Sequence, residues 1–150
     1  MLNGSLNIRK ATIEDLEDII YIENETFSSP WSRGSFIEEL TCNLLAYYSV
    51  VELDDEIIGY MGMWIILNEA HITNVAIRSK ERGLKLGELA IRHMMGIAKL
   101  HGANKMTLEV RKSNSVAINL YDKLNFVKLG HRINYYSNPL EDALIMWVEL

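Results

Sequence analysis

The most constraining feature of this sequence is a long amphipathic helix between two short strands. Apolar residues recur with helical period from Leu86 to Leu100, and β-rich runs lie on either side, at 69–77 and 104–111. A strand, a helix and a second strand in this order form a parallel, right-handed crossover. The chain is therefore expected to be an α/β protein built on a sheet with a parallel pair.

Further strands and helices surround this crossover. The predicted strands are 5–10, 45–53, 56–67, 69–77, 104–111, 126–136 and 143–150. Thr12, Ser32 and Ser113 are expected to cap the three other helices. The order is then β-α-α-β-β-β-α-β-α-β-β, in a single domain over residues 1–150 whose mixed sheet carries helices on both faces.

Apolar spacing also predicts which helical residues face the core. We expect Pro30 to end the first helix and the lone Cys42 to behave as a small buried apolar residue. The residues expected to point inward are Ile13, Leu16, Ile20 and Phe27 in the first helix, and Phe36, Ile37 and Leu40 in the second.

Composition narrows the class of protein. Hydrophobic residues make up 49% and charged residues 23%, as in ordinary globular domains. No apolar stretch approaches the roughly 20 residues of a membrane span, and the first residues do not resemble a secretory signal. A single cysteine excludes an intramolecular disulfide, and the four histidines show no metal-ligand spacing. We expect a cytoplasmic protein without a metal.

The net charge of −5 conceals an asymmetry between the two halves. Residues 1–75 carry 13 acidic and 3 basic side chains, whereas residues 76–150 carry 7 acidic and 12 basic ones. This division either reflects ordinary variation of solvated surfaces or indicates a cationic partner for the first half and a phosphorylated ligand for the second. A pI of 5.4 without a basic-aromatic stripe argues against nucleic-acid binding.

The segment 78–87 joins the strand 69–77 to the long helix and contains two glycines and four cations. A helix amino terminus presents unpaired N–H groups and a partial positive charge, so it receives phosphates readily. The segment matches neither G-x-G-x-x-G nor the Walker loop. Its composition fits either an anion-binding loop or a plain turn with solvated lysines.

A carboxylate and a phenol form the second candidate feature. Glu109 lies near the end of the strand after the long helix, and Tyr121 lies on the next helix. Ligands of open α/β sheets bind at that edge, so both groups could flank one cleft. On spacing alone, a solvated carboxylate and a packed tyrosine ring are the more common explanation of two such residues.

Two stretches carry a family resemblance. Asn74-Val75-Ala76-Ile77 followed by Arg82-x-x-Lys85-x-Gly87 resembles the acetyl-CoA signature Q/R-x-x-G-x-G/A of the GNAT acetyltransferases, with Lys85 where that family has glycine. The motif L-E-V-R-x-S-N-x-x-A-I-x-L-Y-x-x-L-x-F, from Leu108 to Phe126, resembles the RimI group of that family. F-S-S-P-W-S, N-Y-Y and E-D-A extend this resemblance over nearly the whole chain.

The resemblance implies a function and a site. It makes the chain an enzyme that transfers acetyl from acetyl-CoA to the terminal alanine of small-subunit ribosomal protein eighteen, with Glu109 as general base and Tyr121 as general acid. Trp31, Tyr135 and Tyr136 would bind the acceptor peptide. The acetyl-CoA residues would be Val75, Ala76, Ile77, Arg82, Gly83, Leu84, Lys85, Leu86, Gly87, Glu88 and Asn114.

The implied partners are therefore acetyl-CoA and the basic amino-terminal peptide of a ribosomal protein. The protein itself is expected to be a monomer or a weak dimer. Asn125 replaces the group's usual glycine before Phe126, and asparagine tolerates the left-handed conformation that such a glycine adopts. Two alternatives stay open. The acceptor could be a small amine or a lysine side chain, or the domain could bind an acyl-CoA without catalysis.

Overall fold

The computed structural model describes residues 4–150. Its strands are β1 (Leu6–Lys10), β2 (Ala46–Leu53), β3 (Glu56–Ile66), β4 (Glu69–Ile77), β5 (Lys105–Arg111), β6 (Val127–Tyr136) and β7 (Glu141–Glu149). Its helices are α1 (Leu16–Thr26), α2 (Arg33–Thr41), α3 (Leu86–Leu100) and α4 (Ser115–Lys123). The predicted order of strands and helices is confirmed.

The seven strands form one sheet in the order β1-β2-β3-β4-β5-β7-β6. Only β4 and β5 pair in parallel, and α3 connects them, as the crossover predicts. Every other neighbouring pair is antiparallel. The sheet is therefore mixed, and its one parallel contact lies at its centre.

Two apolar clusters pack the helices against opposite faces of the sheet. The larger cluster joins α3 and α4 to the sheet and includes the fully buried Ile91, Met94 and Met106. The smaller cluster joins α1 and α2 to the other face through Ile19 and Phe36. Within residues 4–150, no helix is long and apolar enough to cross a membrane.

The first two helices differ from the prediction in their faces. The segment begins as a single 3-10 turn at Ile13–Asp15, capped by Thr12 as expected, and this tighter turn shifts the phase of the helix that follows. Ile13 is therefore exposed, while Ile19 and Ile22 are buried instead, and Phe27 is exposed beyond the end of the helix. The residues predicted to be buried but found exposed are Ile13, Phe27, Ile37 and Cys42.

Two helix boundaries also differ. The first helix ends at Thr26, before Pro30, because Phe27 already adopts an extended conformation. Asn114, and not Ser113, caps α4 by accepting a hydrogen bond from the backbone N–H of Ala117. Both residue types favour the capping position, so composition alone does not distinguish them.

A buried ion pair fixes the start of α1 against the edge of the sheet. Asp15 is 4% exposed, and its two oxygens lie 2.8 and 2.9 Å from the guanidinium of Arg9. The hydrogen bond with Arg9 lowers the pKa of Asp15, and the opposing effect of burial is smaller. Asp15 also accepts the backbone N–H of Thr12 and so completes a capping box.

We expect Asp15→Ala to lower the free energy of unfolding by about 2 kcal/mol, because it removes the capping box and the ion pair with Arg9, whose exposed guanidinium keeps its contact with Glu52. Since the folded pKa is lowered, this stabilisation is present above the unfolded value near 4 and is lost as pH falls through the folded one. Urea unfolding at pH 7 and pH 3 measures both effects. Glu17→Ala, which removes an exposed pair with Arg33, is the matched control and should change little.

Candidate active site

A cleft opens where the two central strands separate. β4 and β5 pair only from Glu69/Lys105 to His71/Thr107, although both strands continue beyond these residues. Thr73 is an extra residue in β4 opposite the Gly62/Met63 step of β3. Such a bulge bends a strand away from its neighbour. The edges of both strands are thereby left open to a ligand.

Glu109 lies on β5 just beyond this separation point. Its Oε2 is 2.9 Å from His71 Nε2, and its Oε1 is 3.2 Å from Arg132 Nε. Burial alone would raise the pKa of Glu109, but the interactions with His71 and Arg132 outweigh burial and lower it. Glu109 is therefore an ionised carboxylate at neutral pH, held between strands β4 and β6.

His71 spans the two strands at the base of the cleft. Its Nδ1 is 2.9 Å from Thr107 Oγ1, while its Nε2 faces Glu109. Because a carboxylate only accepts, Nε2 carries the hydrogen that faces Glu109, and the Thr107 hydroxyl is the partner of Nδ1. The carboxylate is thus held by a histidine that is itself held on its other side.

Tyr121 lies on α4 and packs its ring against Phe126, with centroids 5.6 Å apart. Burial raises its pKa to about 12, so the hydroxyl is protonated at neutral pH. Tyr121 is only 9% exposed, and no hydrogen bond joins its hydroxyl to another side chain among residues 4–150. Tyr121 belongs to the cluster on the α3 and α4 face.

Tyr136 connects the surroundings of Glu109 and Tyr121. Burial is the main cause of its raised pKa, the negative charge of Glu109 adds to this effect, and Tyr135 and Tyr121 lie within electrostatic range. Tyr136 also lies under the guanidinium of Arg111, 4.5 Å from its ring centre. Tyr136 is near both groups, but they belong to different faces of the sheet: Glu109 alternates along β5 with Leu108 and Val110 of the larger cluster, whereas Tyr121 is part of that cluster.

Two loops meet above the α1 and α2 face of the sheet. Ser28 Oγ, between α1 and α2, donates to the carbonyl of Asn138, between β6 and β7, at 2.6 Å. Of the predicted peptide-binding residues, Trp31 lies in the first loop, and Tyr135 and Tyr136 end β6 directly before the second loop. Tyr135 and Tyr136 form an edge-to-face pair 5.0 Å apart, and Trp31 is half-buried against Phe36. Trp31 is therefore both a packing residue and part of the loop surface.

A buried polar network that the sequence did not reveal supports the same face. Glu23, 1% exposed, accepts from Tyr60 Oη and from the backbone N–H of Trp31. Asn74 donates to Tyr60 Oη and lies 3.3 Å from Tyr48 Oη. Burial is the main cause of the raised pKa values of both tyrosines. Glu39 joins the network by accepting from Tyr48 Oη, and since it lies 16 positions from Glu23, no local sequence pattern indicates the network.

The start of α3 fits the anion-binding prediction. Side chains cap α2 and α4, but the amino terminus of α3 has no side-chain cap, so its first N–H groups remain available to a ligand. A Cβ added at Gly83 would meet no atom within 4 Å, which shows open space above the loop. A Cβ at Gly87 would meet Leu120 at 3.4 Å, so this glycine allows α3 to approach α4.

Lys85 adopts the conformation that explains the family's usual glycine. Its φ of 61° and ψ of 23° are left-handed, which costs a non-glycine residue about 1 kcal/mol or more. The side chain is exposed at the start of α3. Lysine therefore preserves the course of the loop at a conformational cost and adds a positive charge beside it.

Arg82 and Glu88 have structural partners. Arg82 Nε donates to the carbonyl of Ile77 at 2.9 Å, and its terminal nitrogen donates to Thr26 on α1. Glu88 contacts Lys123 at 2.9 Å and Arg92 at 3.1 Å, and Lys123 is the main cause of its lowered pKa. Glu88 is thus neutralised by Lys123 and Arg92.

The other predicted acetyl-CoA residues lie around the same cleft. Val75, Ala76 and Ile77 form the part of β4 that has left β5. Leu84 is exposed in the loop, whereas Leu86 is buried under it. Asn114 uses its Oδ1 to cap α4, which leaves its amide nitrogen as a potential donor. Residues 4–150 contain no group of three His, Cys, Asp or Glu side chains suited to a metal.

Replacing Lys85 by glycine is expected to weaken CoA binding by about fivefold at low ionic strength, because one cation near the phosphates is worth about 1 kcal/mol. The effect should vanish in 0.5 M salt, where such charges are screened. Calorimetric titration with CoA at both salt concentrations measures it. Lys99→Gly, at the far end of α3, is the control, and tighter binding by Lys85→Gly would contradict the expectation.

Comparison with known proteins gives a consistent result. The profile of the acetyltransferase (GNAT) family matches residues 16–126. A Bacillus subtilis protein described as a candidate ribosomal protein bS18-alanine N-acetyltransferase is 43% identical over 143 residues, which are 95% of each chain. A Haemophilus influenzae ribosomal protein bS18-alanine N-acetyltransferase is 33% identical over 88% of this chain and 90% of that protein.

A solved structure agrees with these sequence matches. The crystal structure of the ribosomal-protein-S18-alanine N-acetyltransferase from Escherichia coli superposes with a TM-score of 0.90 at 26% identity. The match covers 97% of this chain and 94% of that one. The similarity thus extends over nearly the whole fold.

Proposed function

The chain belongs to the acetyltransferase (GNAT) family, and from this premise we propose that it acetylates the amino-terminal alanine of ribosomal protein bS18, with acetyl-CoA as donor. The observation that carries the proposal is the Glu109 centre at the point where β4 and β5 separate. There a carboxylate held by His71 borders the open strand edges and lies on the same face as the two meeting loops.

The cleft residues fit the donor. Acetyl-CoA supplies an activated thioester carbonyl and carries phosphates on its nucleotide end. The uncapped start of α3 and the open space at Gly83 suit a pyrophosphate, and the free amide of Asn114 suits the pantetheine arm. Main-chain N–H groups along the open edge of β4, near Ala76 and Ile77, would stabilise charge on the carbonyl oxygen.

Glu109 would take the proton from the acceptor amine, directly or through a water molecule. A terminal amine has a pKa near 8 and is mostly protonated at neutral pH. The lowered pKa makes Glu109 a weak base, so its contribution comes from its position and from a negative charge that attracts and orients the ammonium group. His71 and Arg132 act as positioning residues that hold the carboxylate in place.

Tyr121 would donate to the sulfur as the thiolate leaves. Its raised pKa keeps the proton on the hydroxyl until negative charge develops on a nearby acceptor. A thiol is more acidic than a phenol of pKa about 12. Tyr121 therefore donates a hydrogen bond to the departing thiolate before any proton is transferred. The surrounding apolar cluster strengthens that hydrogen bond by excluding water.

The test is mass spectrometry of an alanine-initiated bS18 peptide after incubation with acetyl-CoA and the protein. We expect one added acetyl group on the α-amine, located by fragmentation. The same peptide with a blocked amino terminus and a panel of polyamines and aminoglycosides serve as alternative acceptors. Acetylation of the small amines or of lysine side chains, without the α-amine, would overturn the proposed acceptor.

A further inference from the structure

A cavity of about 360 Å³ lies between α2 and the sheet, outside the residues that the proposed mechanism uses. Its lining residues are Trp31, Ser35, Glu38, Glu39, Asn43 and Trp64. Trp64 on β3 pairs directly with His71 on β4, so both side chains leave the sheet on the same face. Since His71 contacts Glu109, the cavity lies beside the proposed reaction centre.

The cavity lining carries negative charge without a matching cation. Glu39 is 8% exposed and accepts hydrogen bonds from Trp64 Nε1 at 2.6 Å, Asn43 Nδ2 at 2.6 Å and Tyr48 Oη at 3.1 Å. All three donors are neutral. Glu38 adds a second carboxylate, and the lining contains no lysine, arginine or histidine. A buried charge without a counter-ion is costly, so the site attracts a cation.

Two fixed indole rings complete the walls. Trp64 is held through its ring nitrogen by Glu39, and Trp31 is held through its backbone N–H by the buried Glu23 and through its ring by Phe36. Tryptophan faces attract cations and also cover the apolar stem of a long basic side chain. The combination of carboxylates with aromatic walls therefore matches an organic cation with an apolar stem.

We propose that this cavity binds a lysine or arginine side chain of the acceptor peptide and so selects the acceptor. The inference rests on the proposed function, because the acceptor amine must lie at Glu109. β3 and β5 are two strand spacings apart, about 10 Å, and an extended peptide advances about 3.3 Å per residue. The bound side chain is therefore that of the second or third residue of the acceptor.

The test compares alanine-initiated peptides that carry arginine or its neutral analogue citrulline at position two or three. With the unmodified protein, citrulline at the recognised position should lower kcat/KM by about 10- to 100-fold, mainly through KM. Ser35→Lys, which adds a cation at an exposed cavity position, should lower kcat/KM for the arginine peptide by a similar factor and leave the citrulline peptide unchanged. Glu38→Gln should reduce the difference between the two peptides.

Controls separate the possible outcomes. Asn7→Lys makes the same charge change on the exposed edge strand β1 and should leave the selectivity intact. Ser35→Lys and Glu38→Gln change exposed side chains, so they test the cavity even if Glu39→Gln loosens Trp64 and fails to fold. Equal acetylation of arginine and citrulline peptides overturns this inference and leaves the proposed function standing. If neither peptide is acetylated, both this inference and the proposed function are overturned.

Discussion

Replacing Glu109 by glutamine is expected to lower kcat for the alanine peptide by about 10²–10⁴-fold, the range for a general base. Glutamine keeps the shape of the side chain but removes the negative charge that His71 and Arg132 surround. At neutral pH the ammonium form of the acceptor then loses both its attraction to the site and its proton acceptor. The loss should shrink above pH 9, where most of the amine is already neutral. Steady-state release of CoA, followed from pH 6 to 10, measures both effects.

Matched variants distinguish this role from a general loss of structure. Glu69→Gln changes a carboxylate on β4 whose only described ion pair is a 4.0 Å contact with Lys105, and it should leave kcat unchanged. His71→Gln should lower kcat less than Glu109→Gln and change its pH profile, because it releases the carboxylate without removing it. An unchanged kcat in Glu109→Gln, with an unchanged melting temperature, would rule out Glu109 as the base.

The sequence predicted the fold because its strongest local signals agree with the tertiary structure. The helical period of α3 and the β-rich runs beside it identify the crossover, which accounts for the one parallel pair. Asn125 has a φ of 70°, the left-handed conformation expected from its position before Phe126. Such features depend on a few neighbouring residues, so they can be read without the rest of the chain.

Features that depend on register or on subtle helix geometry could not be predicted in this way. The 3-10 turn at Ile13–Asp15 rotates the first helix and exchanges Ile13 for Ile19 in the core. No sequence pattern assigns His71 to the site, because its contact with Glu109 requires the β4–β5 register. The hydrogen bond between Glu39 and Trp64 in the cavity wall links residues 25 positions apart, and no local sequence pattern indicates that contact.

The two proposed catalytic groups therefore have different kinds of support in the fold. Glu109 lies in polar surroundings and is held in place by the side chains of His71 and Arg132. Tyr121 is fixed mainly by apolar packing against Phe126 and the cluster under α4. A substitution that keeps the ring should consequently leave the structure around Tyr121 intact, so any loss of rate reports on its hydroxyl.

Tyr121→Phe is expected to lower kcat by about 10²-fold with no loss of stability, because phenylalanine keeps the ring packing and removes a hydroxyl that no described residue binds. A pKa of about 12 keeps the hydroxyl protonated, so the loss should be constant from pH 6 to 10, unlike that of Glu109→Gln. In acetyl donors with a more acidic thiol, the thiolate leaves with less assistance. Such donors should therefore reduce the difference in kcat between the variant and the unmodified protein. Tyr47→Phe, beside His101, is the control. A gap that stays the same for every donor would show that Tyr121 does not assist the departing sulfur.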